Sequence, residues 1–255
     1  MRAISLGLAG AAAALASVPA RAADEEIQVY MDELNPAGGF GLDVHVNDVL
    51  EGDRTLPYPG AEEAVHRWRV TPEWSLGLGG GFELGAYLPL ATVGPDGVVR
   101  IDGAKGRIKW LAPHREHGFY WGANFELGRV AHRVDENPWN AEFKLIAGWR
   151  NPRWKLAANL NTDFTVSGPA AQPAGVELAT KAAYAVRPDV FVGLESYNGI
   201  GELRSPGHFG RNEHATFLAA DFPLGKWDVN AGIGKGYGSN ADSTIVKFVI
   251  GVPID

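Results

Sequence analysis

Basic residues recur at every second position along one stretch of the sequence. Lys105, Arg107 and Lys109 alternate with small or apolar residues, and Arg67 and Arg69 repeat this spacing earlier in the chain. Residues two apart lie on the same face of a β-strand, so each set would form a charged row. In a pore, such a row concentrates ions of the opposite sign and sets selectivity. The spacing therefore indicates a path for acidic solutes.

Carboxylates at the same alternating spacing allow a different interpretation. Further candidates for the polar face are the carboxylates Glu83, Glu126, Glu142 and Asp163, together with Lys144. If these carboxylates pair with the basic rows, the charges form an internal salt-bridge network and line no path. Inward side chains can fill much of a narrow barrel. Both interpretations stay open at this point.

No catalytic residue is predicted. A membrane-bound lipid hydrolase would need a serine close to a histidine, but none of the seven histidines is followed two residues later by serine. The Gly-x-Ser-x-Gly motif of the nucleophile elbow is also missing from the sequence. We therefore expect no enzyme activity, with a lipid hydrolase built from distant residues as the remaining alternative.

Histidine pairs are the only local candidates for metal ligands. His114 and His117 stand three residues apart, and His208 and His214 share one polar stretch. A structural zinc site needs about four ligands, and the chain contains no cysteine. The sequence therefore predicts no metal site and no cofactor.

The first residues have the form of an export signal. They read MRAISLGLAGAAAALASVPARA, with an early arginine, an apolar stretch and Ala20-Arg21-Ala22 at the end. This order matches a cleaved signal peptide. We expect Sec-type export and cleavage after Ala22. Without cysteine, the exported chain has no disulfides and cannot be an acylated lipoprotein.

Beyond the signal, apolar and polar residues alternate in twelve segments separated by turn residues. This spacing is typical of an all-β protein. The segments are Phe40–Gly52, Arg67–Leu78, Phe82–Leu90, Val98–Ala112, Phe119–His132, Trp139–Arg150, Trp154–Ser167, Val176–Val186, Val190–Gly199, Ala215–Phe222, Trp227–Tyr237 and Thr244–Pro253.

The links between these segments alternate between longer and shorter. Asp53–His66 and Ile200–His214 are long, whereas Gly79–Gly81 and Asn151–Arg153 are short. Outer-membrane barrels have long loops on the outside and tight turns on the periplasmic side. No later apolar run approaches the roughly 18 residues of a spanning helix, so a closed barrel is the way left to cross a membrane.

Tryptophan lies on the apolar face of the predicted strands, mostly near their ends. Membrane barrels carry such aromatic girdles, because the ring is apolar and its N–H seeks water. Only Trp74 falls in mid-strand. The predicted interface residues are Trp68, Trp110, Trp121, Trp139, Trp149, Trp154 and Trp227.

Four stretches resemble a group of proteobacterial outer-membrane proteins of unknown function. They are ELGAYLPL (83–90), DGAKGRIKWLAPH (102–114), NFELGR (124–129) and AGWRNPRW (147–154). The resemblance covers most of the mature chain. It implies a transmembrane β-barrel in the outer membrane and carries no binding residues.

These observations predict an antiparallel transmembrane β-barrel of about twelve strands. The expected division is a signal at 1–22, a periplasmic extension or plug-like segment at 23–39 and the barrel at 40–255. We expect a narrow porin-like channel for small, anionic solutes, or alternatively a non-conducting barrel with a structural or surface-binding role. Expected partners are outer-membrane lipid, lipopolysaccharide and the barrel-assembly machinery of a Gram-negative cell. The net charge of −7 argues against nucleic acid.

Overall fold

The computed structural model describes residues 26–208 and 212–254. The predicted export signal, residues 1–22, lies outside the described residues. Twelve long strands and one two-residue strand form one sheet. They are β1 (Phe40–Gly52), β2 (Trp68–Gly79), β3 (Phe82–Val93), β4 (Val99–Leu111), β5 (Gly118–Val130), β6 (Trp139–Arg150), β7 (Trp154–Ser167), β8 (Gly175–Arg187), β9 (Val190–Glu202), β10 (Ser205–Pro206), β11 (Glu213–Leu224), β12 (Trp227–Gly238) and β13 (Asp242–Val252).

The sheet closes on itself. Each long strand pairs antiparallel with its sequence neighbours, and β1 pairs with β13 from Leu42 opposite Val252 to Gly52 opposite Asp242. The twelve-stranded antiparallel barrel predicted from the sequence is therefore confirmed. Only the short β10, which extends β9 as a small hairpin, was not predicted. No helix in the described part of the chain is long and apolar enough to cross a membrane.

The two rims of the barrel differ. One rim, called here the turn rim, holds the tight links 80–81, 151–153, 188–189 and 225–226 and the link 112–117. It also holds the chain directly before β1 and directly after β13. The opposite rim, called the loop rim, holds residues 53–67, 94–98, 131–138, 168–174, 203–208, 212 and 239–241. The predicted separation of tight turns from the longest loops is thus present.

The outer wall is apolar, because one side chain of each alternating pair points away from the lumen. Seven of the eight tryptophans are between 39% and 50% exposed on this wall. Trp110 is half-buried and packs edge-on against Trp121, with ring centroids 5.3 Å apart. All of them except Trp74 stand near a rim. Placed in a bilayer, these rings would meet both interfaces.

Glycine permits one close approach within the wall. Gly103 on β4 has a φ of +154°, and a Cβ there would lie 2.0 Å from the carbonyl oxygen of Arg129 on β5. The pairing of β3 with β4 shifts register beside this residue, where Gly103 stands opposite Leu90. Any side chain would therefore push the strands apart at this irregularity.

Candidate functional site: the barrel lumen

Polar and charged side chains line the inside of the barrel and are buried there. Alternation brings them inward, since their neighbours in sequence point to the outer wall. The buried polar residues of this inner wall include His45, Asn47, Arg69, Glu73, Glu83, Arg107, Lys109, Asn124, Glu126, Lys144, Asn159, Lys181, Glu195 and Lys247.

Residues 26–35, called here the N-terminal segment, lie inside this wall. The backbone N–H of Tyr30 donates to Oδ1 of Asn159 at 2.6 Å, and Nδ2 of Asn159 donates to the carbonyl oxygen of Tyr30 at 2.9 Å. One amide side chain on β7 thus satisfies both main-chain groups of Tyr30. Val29 and Met31 are buried on either side, in an apolar cluster with Tyr120, Ile146, Ala157 and Ala179.

Further hydrogen bonds hold the segment's main chain along its length. Nζ of Lys247 donates to the carbonyl oxygen of Ile27 at 2.8 Å, and Nζ of Lys109 donates to that of Glu33 at 2.9 Å. Near the turn rim, the N–H of Asn35 donates to Glu83 at 2.7 Å. The segment is therefore bound to strands on several sides of the barrel.

The segment also passes unusually close to β2. A Cβ on Gly77 would lie 2.3 Å from the carbonyl oxygens of both Asn35 and Pro36. At the same end, the carboxylate of Asp32 contacts Nε of Arg150 at 2.9 Å and Nε2 of His114 at 3.1 Å. Burial and the neighbouring charge of Glu33 raise the pKa of Asp32 in spite of these partners.

Tyr30 stands at the centre of a group of cations. Nζ of Lys144 lies 4.0 Å from the ring centroid, Nζ of Lys109 lies 5.0 Å away, and Cζ of Arg107 lies 5.8 Å away. Cations at these distances are attracted to the face of an aromatic ring. The Tyr30 hydroxyl contacts that of Tyr87 at 2.5 Å and donates to Glu126 at 3.2 Å.

One ionic cluster surrounds Arg107. Its guanidinium bonds Glu73 on β2 and, at 2.8 Å, Glu83 on β3. Oε2 of Glu73 in turn contacts Nε2 of His45 at 2.9 Å. Buried ion pairs of this kind hold their side chains in place, because losing one partner leaves an uncompensated charge.

A second ionic cluster lies on the opposite side of the lumen. Lys181 bonds Asp221 at 2.8 Å and Glu195 at 3.1 Å, and Lys155 bonds Asp221 at 3.0 Å. Lys247 also bonds Glu195. Because the alternation of β11 is weak, the inward position of Asp221 and its bonds to two lysines could not be predicted from the spacing.

The loop rim is narrowed by residues 53–67. Glu62 contacts Arg67 at 2.5 Å, Arg100 at 3.2 Å and Arg133 at 3.7 Å, which ties this loop to the start of β4 and to the loop 131–138. Val65 from this loop is 2% exposed and packs into an apolar cluster with Val49, Ala215, Phe217 and Ile245. The first long loop thus folds into the mouth of the barrel.

Two loop side chains have shifted pKa values. Hydrogen bonds from the Arg100 guanidinium lower the pKa of Asp96, which keeps that carboxylate ionised in moderate acid. Burial and the nearby charges of Asp135 and Glu136 raise the pKa of Tyr58, which therefore stays protonated. The Asp96 carboxylate and the Tyr58 hydroxyl therefore keep their protonation states through ordinary changes in pH.

The predicted lumen residues occupy different depths. Arg107, Lys109, Lys144, Glu83 and Glu126 converge around the N-terminal segment. Glu142 joins this group through its ion pair with Lys144 at 3.0 Å, whereas Arg67 lies apart at the loop rim beside Glu62. The remaining three stand on the inner wall of β2, β4 and β7, namely Arg69, Lys105 and Asp163.

The three basic residues of β4 therefore do not form one free row. Arg107 is held by carboxylates and Lys109 by a carbonyl oxygen of the segment. Lys105 is half-buried and packs over Gly128. Sequence reasoning did not single out Asn159, Tyr87 or Tyr30 as lumen contacts, because hydrogen bonds across the barrel leave no local signal.

Comparisons with known proteins give the fold. No family model matches the sequence, and no curated protein matches it. The solved structure of the KdgM porin is similar with a TM-score of 0.57 and 12% identity, covering 84% of this chain and 99% of that one. The NanC porin structure is matched with a TM-score of 0.49 and 10% identity, over 84% and 99%. The likeness to KdgM shows a porin fold.

Proposed function

We propose that this chain is an outer-membrane channel for small anionic solutes, and that the N-terminal segment closes it. The observation that carries the proposal is the way the lumen is filled. Below the loop 53–67 at the mouth, its occupant is one extended stretch outside the barrel strands, held by hydrogen bonds, ion pairs and apolar packing and by no strand pairing. Removing that stretch leaves a polar inner wall of the kind that conducts water and ions.

The preference for anions follows from the charges that meet the segment. It carries Glu26, Asp32 and Glu33. The cations that contact it are Lys109, Lys144, Arg150 and Lys247. When the segment leaves, Arg150 loses its ion pair with Asp32, and the other three cations lose their contacts with the segment's carbonyl oxygens or with the Tyr30 ring. All four then face the path. A basic wall raises the local concentration of anions and admits them preferentially.

The proposed location is the outer membrane of a Gram-negative bacterium. The apolar outer wall and the tryptophans near both rims support contact with outer-membrane lipid and lipopolysaccharide. A closed barrel in that membrane would reach it through Sec-type export and the barrel-assembly machinery.

Planar-bilayer recording tests the proposal with a variant lacking residues 26–35. The full chain is expected to be closed for most of the recording, and the deletion variant to conduct continuously with anion preference. A second variant keeps the length but replaces residues 26–35 with Gly and Ser, and it is expected to conduct as the deletion does. A folded deletion variant without conductance would overturn the proposal.

The filled mouth supports a second candidate, a non-conducting barrel that acts through its outer loops. Residues 53–67 fold into the loop rim and bind Arg100 and Arg133 through Glu62. On this proposal, shortening the loops at 53–66 and 200–214 has the same effect on the cell as deleting the whole protein, while the barrel stays folded. Deleting residues 26–35 then leaves the phenotype unchanged, which separates the two candidates.

A further inference from the structure

Three potential metal ligands meet inside the barrel. Glu26 comes from the N-terminal segment, His45 from β1 and Glu73 from β2. One ligand atom of each lies within 4.8 Å of the other two. They are far apart in sequence, and only the seating of the segment in the lumen brings them together.

Their geometry suits a single ion. Two ligands that each bind a tetrahedral ion at about 2.1 Å are about 3.4 Å apart, so a hydrogen-bonded pair needs to separate only by about half an ångström to hold one. Nε2 of His45 and Oε2 of Glu73 are 2.9 Å apart. The ion pair with Arg107 uses the other oxygen of Glu73, Oε1. Glu26 lies outside the strands, so a small shift of its side chain would complete three protein ligands.

The carboxyl groups around the site outnumber the permanent cations, which favours the binding of a cation there. Hydrogen bonds and ion pairs link five carboxyl groups with three permanent cations through Tyr30 and Tyr87. The carboxyl groups are Glu26, Glu73, Glu83, Glu126 and Glu142, and the cations are Arg107, Lys109 and Lys144. Buried charge without compensation is costly. A bound cation would offset the excess of carboxyl groups over permanent cations in this cluster.

Two polar atoms at the site have no hydrogen-bond partner among the described residues. They are Oε1 of Glu26 and Nδ1 of His45, and His45 is only 1% exposed. Buried polar groups are normally satisfied, so the orphaned Oε1 of Glu26, beside an imidazole and a second carboxylate, points to a missing partner. Imidazole and carboxylate are ligands for zinc and related divalent ions.

We propose that Glu26, His45 and Glu73 bind one divalent first-row transition-metal ion of the zinc class. The ion fastens the N-terminal segment to the barrel wall. Its effect on gating rests on the proposed channel function, but the binding site does not. In that function, the ion stabilises the closed channel, and its removal favours release of the segment.

Metal titration of the purified, folded full chain in detergent tests the site. Co²⁺ alone is followed by visible absorption, and Zn²⁺ is followed by calorimetry. We expect one ion per chain, with affinity at least about tenfold weaker in Glu26→Gln and in His45→Gln, since each removes one ligand. Glu116→Gln and His117→Gln, in the exposed link 112–117, are the matched controls and should bind as the wild type does.

Folding of each variant is checked by heat-modifiable migration in gels. Glu26→Gln changes a residue outside the strands and keeps an acceptor for the Tyr87 hydroxyl, so it tests the site without touching the barrel. A folded wild type that binds neither ion overturns the proposal. Binding that both Glu26→Gln and His45→Gln leave unchanged overturns it as well, because the ion would then lie elsewhere.

The gating consequence is measured separately in bilayers. Zn²⁺ should reduce opening of the full chain, a chelator should reverse this, and Glu26→Gln should not respond. If no variant ever conducts, the channel function fails while the binding stoichiometry still decides the metal site. If the channel opens but no ion binds, the metal site fails and the channel function stands.

Discussion

Asn159→Ala should open the channel, because Asn159 holds both main-chain groups of Tyr30. Its side chain is 0% exposed and makes two hydrogen bonds to the N-terminal segment, at 2.6 and 2.9 Å. Alanine removes both and leaves a buried N–H and a buried carbonyl oxygen without these partners. In the open state the wild-type amide would face water and keep its hydrogen bonds. The substitution therefore acts mainly on the closed state.

The size of the effect follows from the two lost hydrogen bonds. A buried hydrogen bond contributes about 1 kcal/mol net, so the closed state should lose about 2 kcal/mol. Since 1.4 kcal/mol is a factor of ten in an equilibrium constant, the ratio of open to closed channels should rise roughly 30-fold. The conductance of each open channel should stay unchanged, because alanine alters the equilibrium and barely alters the wall.

Single-channel recording in planar bilayers measures this ratio. Asn161→Ala is the matched control, because Asn161 lies two residues along the same face of β7 but bonds Glu177, at 3.1 Å, instead of the segment. Its open-to-closed ratio should stay within about threefold of the wild type. Equal ratios for Asn159→Ala and wild type, in a channel that the deletion of residues 26–35 does open, would refute the reasoning about Asn159.

Three more variants test other parts of the fold. Gly77→Ala should raise the open fraction in the same recordings, since its Cβ would lie 2.3 Å from the main chain of Asn35, whereas Gly106→Ala, with no other atom nearer than 4.0 Å, should not. In the variant lacking residues 26–35, Lys109→Gln combined with Lys144→Gln should shift the reversal potential toward lower anion preference. Lys226→Gln at the exposed turn should leave the reversal potential unchanged. Equal shifts would contradict the proposal that these lysines line the path of the anions. Leu145→Arg, at mid-height on the outer wall, should lower the free energy of unfolding by about 2–4 kcal/mol in urea titrations of barrels in lipid vesicles. Leu224→Arg at the turn rim should lower it by only about 0–1 kcal/mol. Equal losses would contradict the assignment of this wall to the membrane.

The strands could be predicted from sequence because their alternation is strong. The bounds of β1, β6 and β7 match the prediction at both ends. In β6 and β7, apolar residues with tryptophan at the ends alternate with polar ones, and the pleat of a strand turns this alternation directly into two faces. Local spacing is enough for such elements.

The filling of the lumen could not be predicted in the same way. Tyr30 meets Asn159 across 129 residues of sequence, and no local pattern reports such a contact. Assigning apolar residues to the outer wall also fails for Phe217, which faces inward and is fully buried against Val49 and Val65. The rule presumes a watery lumen, and this lumen contains apolar clusters of its own.

Five hydrogen bonds with side chains of the barrel wall hold the main chain of the N-terminal segment. The carbonyl oxygens of Ile27, Tyr30 and Glu33 and the amide groups of Tyr30 and Asn35 receive wall side chains, and every residue type offers these atoms except for the N–H that proline lacks. An exposed side chain of the segment, such as that of Glu33, can therefore change during evolution without releasing it. Among relatives that keep a closed lumen, sequence constraint should be stronger at Lys109 of the wall than at Glu33, whose carbonyl oxygen it binds.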